Sequence, residues 1–348
     1  MTSTDPPAEP QVRCLLCSAA LGPPVDGTRD CDAGHRWPIV AGILDCRGPL
    51  TGFDIGRDRA LAEELYARTD ETFGALLRHY WFATGLPSEL TERYVRGDLI
   101  GEARAQEVVE QIRTSTGGAL TTRSTVLEIG CGTAALSVAL SPMAAWVVAS
   151  DVSLAWLVLA RRRFEDAGLT NWSVVAASAD ALPYSDDRFD VVVAADVIEH
   201  VPDPEAMISE SVRVLRAGAT MWLSTPNRFS LTPEPHVRVW GVGFVPRRWA
   251  PRYVRLIRRV PYENIRTLSL RELRSLHLGA SASVRVQAPR IPEAVRAGYS
   301  KLARLLIAVY HGISRIPVLR KMLLFVTPLF HVTITKPYRG DDAATETA

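Results

Sequence analysis

The sequence predicts an α/β fold: a parallel sheet with helices on both faces, a small cysteine-bearing unit in front, and helical insertions towards the C-terminal end. Three observations predict it. From residue 125 onward, short apolar runs alternate with segments of helical length and period. Four of the five cysteines fall within residues 14–46. Charge divides the chain unevenly. Residues 1–236 hold 20 Arg and no Lys against 32 acidic residues, whereas residues 237–348 hold 20 Lys and Arg against 6, so the formal net charge of +2 is a cancellation. With 348 residues, 47% of them apolar, the chain can bury a sizeable core, which excludes wholesale disorder.

The opening MTSTDPPAEPQ is polar, acidic and Pro-rich, and lacks the basic start and apolar stretch of an export signal, so a cytoplasmic location is expected. Residues 1–50 read as a loop-built unit. Within it, Cys14-x2-Cys17 and Cys31-x3-His35 are separated by 13 residues. Two short pairs on opposing knuckles can close a tetrahedral zinc site, with Gly34 easing the second turn and Cys46 as an alternative to His35. A site closed by four protein ligands is structural, so no catalytic role is expected for the zinc. The stretch HRWPIVAGILDC that follows resembles the ends of small zinc-ribbon modules.

Residues 51–118 read as a helical segment. Between 57 and 113 the only proline is Pro87, and Leu61, Leu65, Phe73, Leu76, Leu77 and Tyr80 recur at helical spacing. The core is expected over 119–288. Its strands are Val126–Ile129, Trp146–Ala149, Trp172–Ala176, Phe189–Ala194 and Thr220–Leu223, with helices at Ser153–Ala167 and Pro204–Leu215. The uncharged run Ile129–Ser150 contains Gly130, Gly132 and Pro142, so it reads as turn, helix and strand rather than a membrane span. Ser269 and Glu272 form a capping box that starts a helix ending near Gly279. Strands Ser283–Gln287 and Phe330–Thr335 follow. Between them lies a basic, apolar helical insertion over 289–328, with a last strand segment at 329–338 and a disordered tail at 339–348.

The sharpest motif is VLEIGCGTA, residues 126–134: an apolar strand, Gly130-Cys131-Gly132, then a helix, with Asp151 at the end of the next strand. Glycines let backbone turn tightly and approach a ligand, and an acid about 20 residues on is placed to accept from ribose hydroxyls. Cys131 reads as a small buried residue. Gly130-x-Gly132-x-x-Ala135 also satisfies a loose dinucleotide fingerprint. The rest of the constellation separates the readings: Glu128 two residues before the first glycine, Asp180-Ala181-Leu182-Pro183 after the third strand, and Asp196-Val197-Ile198-Glu199-His200-Val201-Pro202-Asp203 after the fourth.

On these residues, segment 120–230 resembles the class I S-adenosylmethionine-dependent methyltransferases, particularly the small-molecule and ubiquinone-biosynthesis-like branch. Ala134 departs from the family, which usually has a third glycine there. The resemblance implies a Rossmann-like sheet and S-adenosyl-L-methionine as cofactor. It also implies roles: Glu128, Gly130 and Gly132 around the methionine moiety, Asp151 on the ribose, Val152 beside the adenine, Asp180 on the adenine amino group with Ala181 contributing backbone, and Asp196 at the methyl-transfer end.

A sulfonium methyl is already activated, so alignment of the acceptor supplies much of the catalysis, and a base is needed only for a poorly ionised acceptor. His200, after the fourth strand, and His236, in the Pro-rich stretch that follows the fifth, are the candidates.

The basic last third suits an anionic or membrane-associated partner. Residues 238–274 hold ten Arg and two acids among Trp240, Phe244, Trp249, Tyr253 and Tyr262. The segment 226–262 follows the fifth strand and 289–328 the sixth. If both strands run with the rest of the sheet, both insertions emerge at its carboxyl edge and roof the substrate site. The expected activity is methyl transfer to a lipophilic or anionic small molecule, such as a prenylated, lipid-linked or glycosylated metabolite, at most peripherally at the inner membrane surface. An RNA methyltransferase is the first alternative, because the cysteine knuckle also looks like the one at the front of bacterial ribosomal-RNA guanine methyltransferases. A non-catalytic module of the same fold is the second, and an NAD-dependent enzyme a distant third.

Overall fold

The structure, a computed structural model, describes residues 9–338 apart from 51, 69, 86–87, 277–281 and 290–300. The expected tail lies outside the described residues; the helix expected to end near Gly279 instead ends at Ser275, where Leu276 leaves the helical conformation at ψ 124.

Four short strands open the chain: β1 (Leu21–Val25), β2 (Thr28–Cys31), β3 (Arg36–Val40) and β4 (Ile43–Asp45). Successive pairs are antiparallel. Four helices follow where the helical periodicity lies: α1 (Ile55–Tyr66), α2 (Phe73–Ala83), α3 (Ser88–Leu99) and α4 (Gly101–Ser115). Asp54 and Thr72 cap α1 and α2 by accepting from backbone amides of the first turn.

The alternating region then gives β5 (Thr125–Ile129), α5 (Ala135–Leu140), β6 (Trp146–Asp151), α6 (Leu154–Asp166), β7 (Trp172–Ala176), β8 (Phe189–Ala195), α7 (Pro204–Val214) and β9 (Leu215–Pro226). Strand β9 is longer than its apolar run because the chain leaves α7 directly into strand, with Gly218 at φ 77 near its start. Helix α8 (Ala250–Arg258) lies in the first insertion, and α9 (Leu270–Ser275) starts at the expected capping box. Strand β10 (Ser283–Gln287), helices α10 (Lys301–Ser314) and α11 (Pro317–Leu323), and β11 (Leu329–Thr335) follow among the described residues.

Among the described residues, eleven strands join one sheet in the order β1-β2-β3-β4-β7-β6-β5-β8-β9-β11-β10. From β4 to β9 the neighbours are parallel, and β11 runs antiparallel to both β9 and β10. The cysteine-bearing unit is therefore hydrogen-bonded to the core, through Leu44 and Asp45 of β4 against Val175 and Ala176 of β7. Buried on both faces, the central strands sort their side chains with period two. Val126, Val147, Val191 and Val193 pack under α4 and α5, while Leu127, Val148, Val192 and Ala194 pack under α7. This is the mixed α/β, Rossmann-like sheet that the sequence implied.

Strand β10 runs in the direction of β9, so β9 and β10 both end at the carboxyl edge, where β11 begins. Both insertions leave the sheet at the edge that carries the glycine loop, as expected. Among the described residues, no helix is long and apolar enough to cross a membrane.

Candidate functional site

The fully buried β5 feeds a loop whose conformation requires glycine. Gly130 has φ 67, and a Cβ there would lie 2.5 Å from Val197 Cγ2. Gly132 has φ 52, and its Cβ would meet the Trp156 ring at 3.2 Å. The loop is thus pressed between the segment after β8 and the first turn of α6. Ala134 also has φ 59, with no exposure at all, so the departure from glycine places a methyl group in the left-handed region.

Asp151, at the end of β6, holds this loop. Its Oδ2 accepts from Gly132 N at 2.9 Å and its Oδ1 from Ser153 N at 2.9 Å. Burial raises its pKa, opposed by those amides. Each carboxylate oxygen keeps a further lone pair, so a ribose diol fits the acceptor chemistry at this strand end. Glu128 is buried in the strand and accepts from the Ser137 hydroxyl; burial pushes it up to about 8. Asp180, in the turn after β7, accepts from the Ser178 hydroxyl, and Ala181 N donates to Ser178 O at 3.1 Å. Cys131 is buried, as expected.

Several residues here carry no motif. The carbonyl of Val152 accepts from Arg47 Nη1 at 2.6 Å. Arg47 is also bound to Asp45 and Asp58, and Asp58 accepts from Ser153 Oγ (2.8 Å), Leu154 N (2.9 Å) and Ala155 N (3.3 Å). A carboxylate from α1 thereby caps α6 beside the ribose position. On the other side of the loop, Arg163 donates to the carbonyls of Thr133 and Asp98. The amphipathic period of 57–113 gives these helices, but not what they cover.

At the carboxyl ends of β8 and β9 the two candidate histidines meet. His200 Nε2 lies 3.1 Å from His236 Nε2, with the rings nearly perpendicular. The Asn264 carbonyl, 3.3 Å from His200 Nδ1, can only accept, so that nitrogen carries the hydrogen and His200 Nε2 is the acceptor. His236 therefore donates from Nε2. Its Nδ1 lies 2.5 Å from Glu234 Oε1, so both of its nitrogens carry hydrogens. The electrostatics agree. Burial opposes charge on His236, but Glu234 and then Glu199 hold its pKa above the ordinary value. Burial, then the neighbouring His236, depress His200.

Beneath the pair, Glu199 is buried, accepts from Thr225 Oγ1 at 2.9 Å, and is pushed up to about 7 by burial and then by Asp196. Asp196, exposed at φ 56, accepts from Ser224 Oγ at 2.8 Å. Donor atoms of Glu199, His200 and His236 lie within 4.8 Å of one another, a set able to relay a proton or to hold a divalent cation.

The cysteine-bearing unit gathers a second donor set. Ligand atoms of Cys14, Cys17, Cys31 and His35 also lie within 4.8 Å of one another. Cys14 Sγ is 3.5 Å and Cys31 Sγ 3.4 Å from His35 Nδ1, and the Cys17 and Cys31 sulfurs are 3.5 Å apart. Burial raises the Cys14 thiol, but N–H donation from Trp37 and Leu16 outweighs it and brings it to about 6, as a thiolate ligand requires. These donors fit a tetrahedral metal. Cys46 is a correction to the expected alternatives. It lies outside the donor set, because β4 carries it along β7, where its amide donates to Ala176 O at 2.8 Å; burial pushes its thiol up to about 12.

Residues 127–223, from β5 to β9, match the family model described as a methyltransferase domain. This segment is a methyltransferase domain. Around it the chain is similar to curated ubiquinone biosynthesis O-methyltransferases. That of Ruegeria sp. (strain TM1040) is 32% identical over 127 residues, covering 36% of this chain and 50% of the relative. That of Coxiella burnetii (strain Dugway 5J108-111) is 33% identical over 103 residues, covering 30% and 44%. The chain thus spans half or less of the length of these relatives. Among solved structures, an S-adenosylmethionine-dependent methyltransferase from Mesorhizobium loti is 17% identical with a TM-score of 0.43, covering 64% of this chain and 96% of that one. In the domain's frame, the glycine loop, Asp151, Asp180 and the histidine pair all stand at one sheet edge.

Proposed function

We propose that the protein transfers a methyl group from S-adenosyl-L-methionine to a hydroxyl of a lipophilic or anionic small molecule. The single observation that carries the reading is the His200–His236 pair at the sheet edge that also presents the glycine loop and Asp151. Glu128, Gly130, Gly132, Asp151, Val152, Asp180 and Ala181 would hold the cofactor, with Asp196 near its methyl end. The bound cofactor supplies an electrophilic methyl on a sulfonium. His236, charged and anchored by Glu234, keeps His200 in the tautomer whose Nε2 accepts a proton. An acceptor hydroxyl that replaces His236 at that nitrogen gives up its proton to His200 as its oxygen is alkylated. Cys14, Cys17, Cys31 and His35 hold a structural zinc in this reading.

The insertions support this acceptor class. Helix α8 exposes Leu256 and Ile257 among Arg255 and Arg258, and α10–α11 expose Leu305, Val309, Val318 and Met322 near Arg304, Arg320 and Lys321. Such a basic, apolar face suits an anionic lipid surface and an acceptor drawn from it. Incubation with methyl-labelled S-adenosylmethionine and fractionated extract tests the whole. Label in the organic phase is expected. Label in RNA would replace the reading with the RNA one, and absence of label together with no cofactor binding in calorimetry would leave a non-catalytic module.

A further inference from the structure

Next to the histidine pair, the structure contains a cleft of ≈ 170 Å³ whose lining includes Arg228, Arg247, Arg266, Tyr262, Val242 and Ile265. Three guanidinium-bearing residues from separate parts of the chain converge on it: Arg228 just past β9, Arg247 at the start of the turn before α8, and Arg266 before α9. Among the described residues, no carboxylate is in the lining. Arg247 is partly offset by Glu272, at 2.6 Å, while Arg228 commits its Nε to Gly243 O at 3.1 Å. Each guanidinium offers five N–H donors, so these bonds leave most of them free for a ligand. Burial, then repulsion from Arg247, depresses the Arg228 pKa, with Glu272 opposing them in part.

The cleft is built rather than incidental. Gly243 passes so close to Arg228 that a Cβ would fall 1.5 Å from its carbonyl oxygen, so only glycine lets the two segments wall the space together. It is also continuous with the site. Arg266 N donates to Glu199 O at 2.7 Å, and Asn264, two residues earlier, accepts from His200. A second, smaller hollow shares Arg228, Val242, Gly243 and Thr267 with the first and reaches Glu234, the partner of His236.

We infer that this cleft binds a phosphate or diphosphate group of the methyl acceptor and so positions the acceptor's hydroxyl against His200. Planar arginine forks match phosphate oxygens two at a time, and the positive charge of three arginine residues in one lining favours a dianion over a monoanion. The inference rests on the methyltransferase reading for its catalytic consequence, but the anion site stands or falls by itself.

Inorganic pyrophosphate titrated calorimetrically into the full chain is the direct test, with acetate as the monoanionic comparison. Pyrophosphate is expected to bind at one site and acetate not detectably. Arg266→Gln and Arg228→Gln should each weaken pyrophosphate at least tenfold while S-adenosylmethionine binding is unchanged. The paired surface substitutions R255Q and R258Q on α8 should leave pyrophosphate untouched. Competition separates two sources of the group. Displacement by farnesyl diphosphate but not by uridine diphosphate marks an isoprenoid acceptor, and the reverse a nucleotide-linked one. Undetectable pyrophosphate binding, or equal loss in the α8 variant, would overturn the anion site. Loss of S-adenosylmethionine binding with pyrophosphate binding intact would instead overturn the methyltransferase reading.

Discussion

Arg47 Nη1 lies 2.6 Å from Asp58 Oδ2, both side chains buried, and the two residues together hold the backbone that leads from β6 into α6. Arg47 holds the carbonyl after Asp151, and Asp58 caps the helix that begins two residues later. Removing Asp58 leaves Arg47 paired with Asp45, but it takes away the acceptor of Ser153 Oγ, Leu154 N and Ala155 N, and leaving such buried donors unsatisfied costs about 1–3 kcal/mol. Asp58→Ala is expected to lose that much in urea unfolding and to weaken S-adenosylmethionine binding as well. An Asp58→Ala protein with unchanged cofactor affinity would mean that the network supports the fold alone.

Gly130 should be intolerant of any side chain. Gly130→Ala combines a left-handed backbone with a methyl overlapping Val197, at about 1–2 kcal/mol for the backbone and about 1–3 kcal/mol for the overlap. Adding Val197→Ala is expected to restore only the second part, which a comparison of melting curves for the single and double variants reads directly.

Glu128 gives a pH dependence with a definite sign. Its folded pKa of about 8 stands above the ordinary 4.5 because burial disfavours the anion. The stability it contributes is therefore complete below pH 4.5 and is lost as pH rises through about 8. Glu128→Gln should remove this loss, so the variant gains on the parent between about pH 5 and about pH 9. The gain should reach up to a few kcal/mol, since each tenfold change in an ionisation equilibrium is worth about 1.4 kcal/mol. A constant difference across that range would refute the assignment.

His200 and His236 should divide by role. His200→Gln is expected to lower kcat about 10²–10⁴-fold on a hydroxyl acceptor. The acid limb of kcat/KM should lie below pH 6.5, because His200 is depressed. His236→Gln should move that limb upward, towards the ordinary histidine value, since it removes the neighbouring charge. An unmoved limb would show that the two rings are not coupled.

The cysteine unit should carry one zinc per chain by elemental analysis. Cys14→Ser should lose it and lower Tm, whereas Cys46→Ser should keep it, since Cys46 lies outside the donor set.

Much of the fold was legible because period-two burial leaves a strong trace. Strand β7 begins and ends where its apolar run does, and β10 has the expected bounds although it is largely exposed. The glycine loop was legible because few residues other than glycine adopt its backbone. The histidine pair was legible only as two separate candidates. Their union depends on the 226–262 insertion folding back over β8, a long-range event without local period. Arg47, Asp58 and the three arginines of the cleft were hidden for the same reason, among 37 arginines whose excess carried no position. Cys46 passes for a possible ligand by spacing alone, which does not reveal that β4 turns away into the sheet.

The placement of β11 between β9 and β10 sets an order of assembly. Strand β10 has no partner in the sheet until β11, made more than 40 residues later, has slotted in beside β9. During synthesis the edge of β9, with Trp222 and Leu223, stays open while both basic insertions emerge from the ribosome. A long-range closure of this kind is slow, and an open strand edge invites pairing with other chains. The insertion between β10 and β11 is thus anchored at its far end only when β11 pairs with β9, and the assembly of this sheet, unlike that of one built strictly in sequence, is vulnerable to truncation at residue 328.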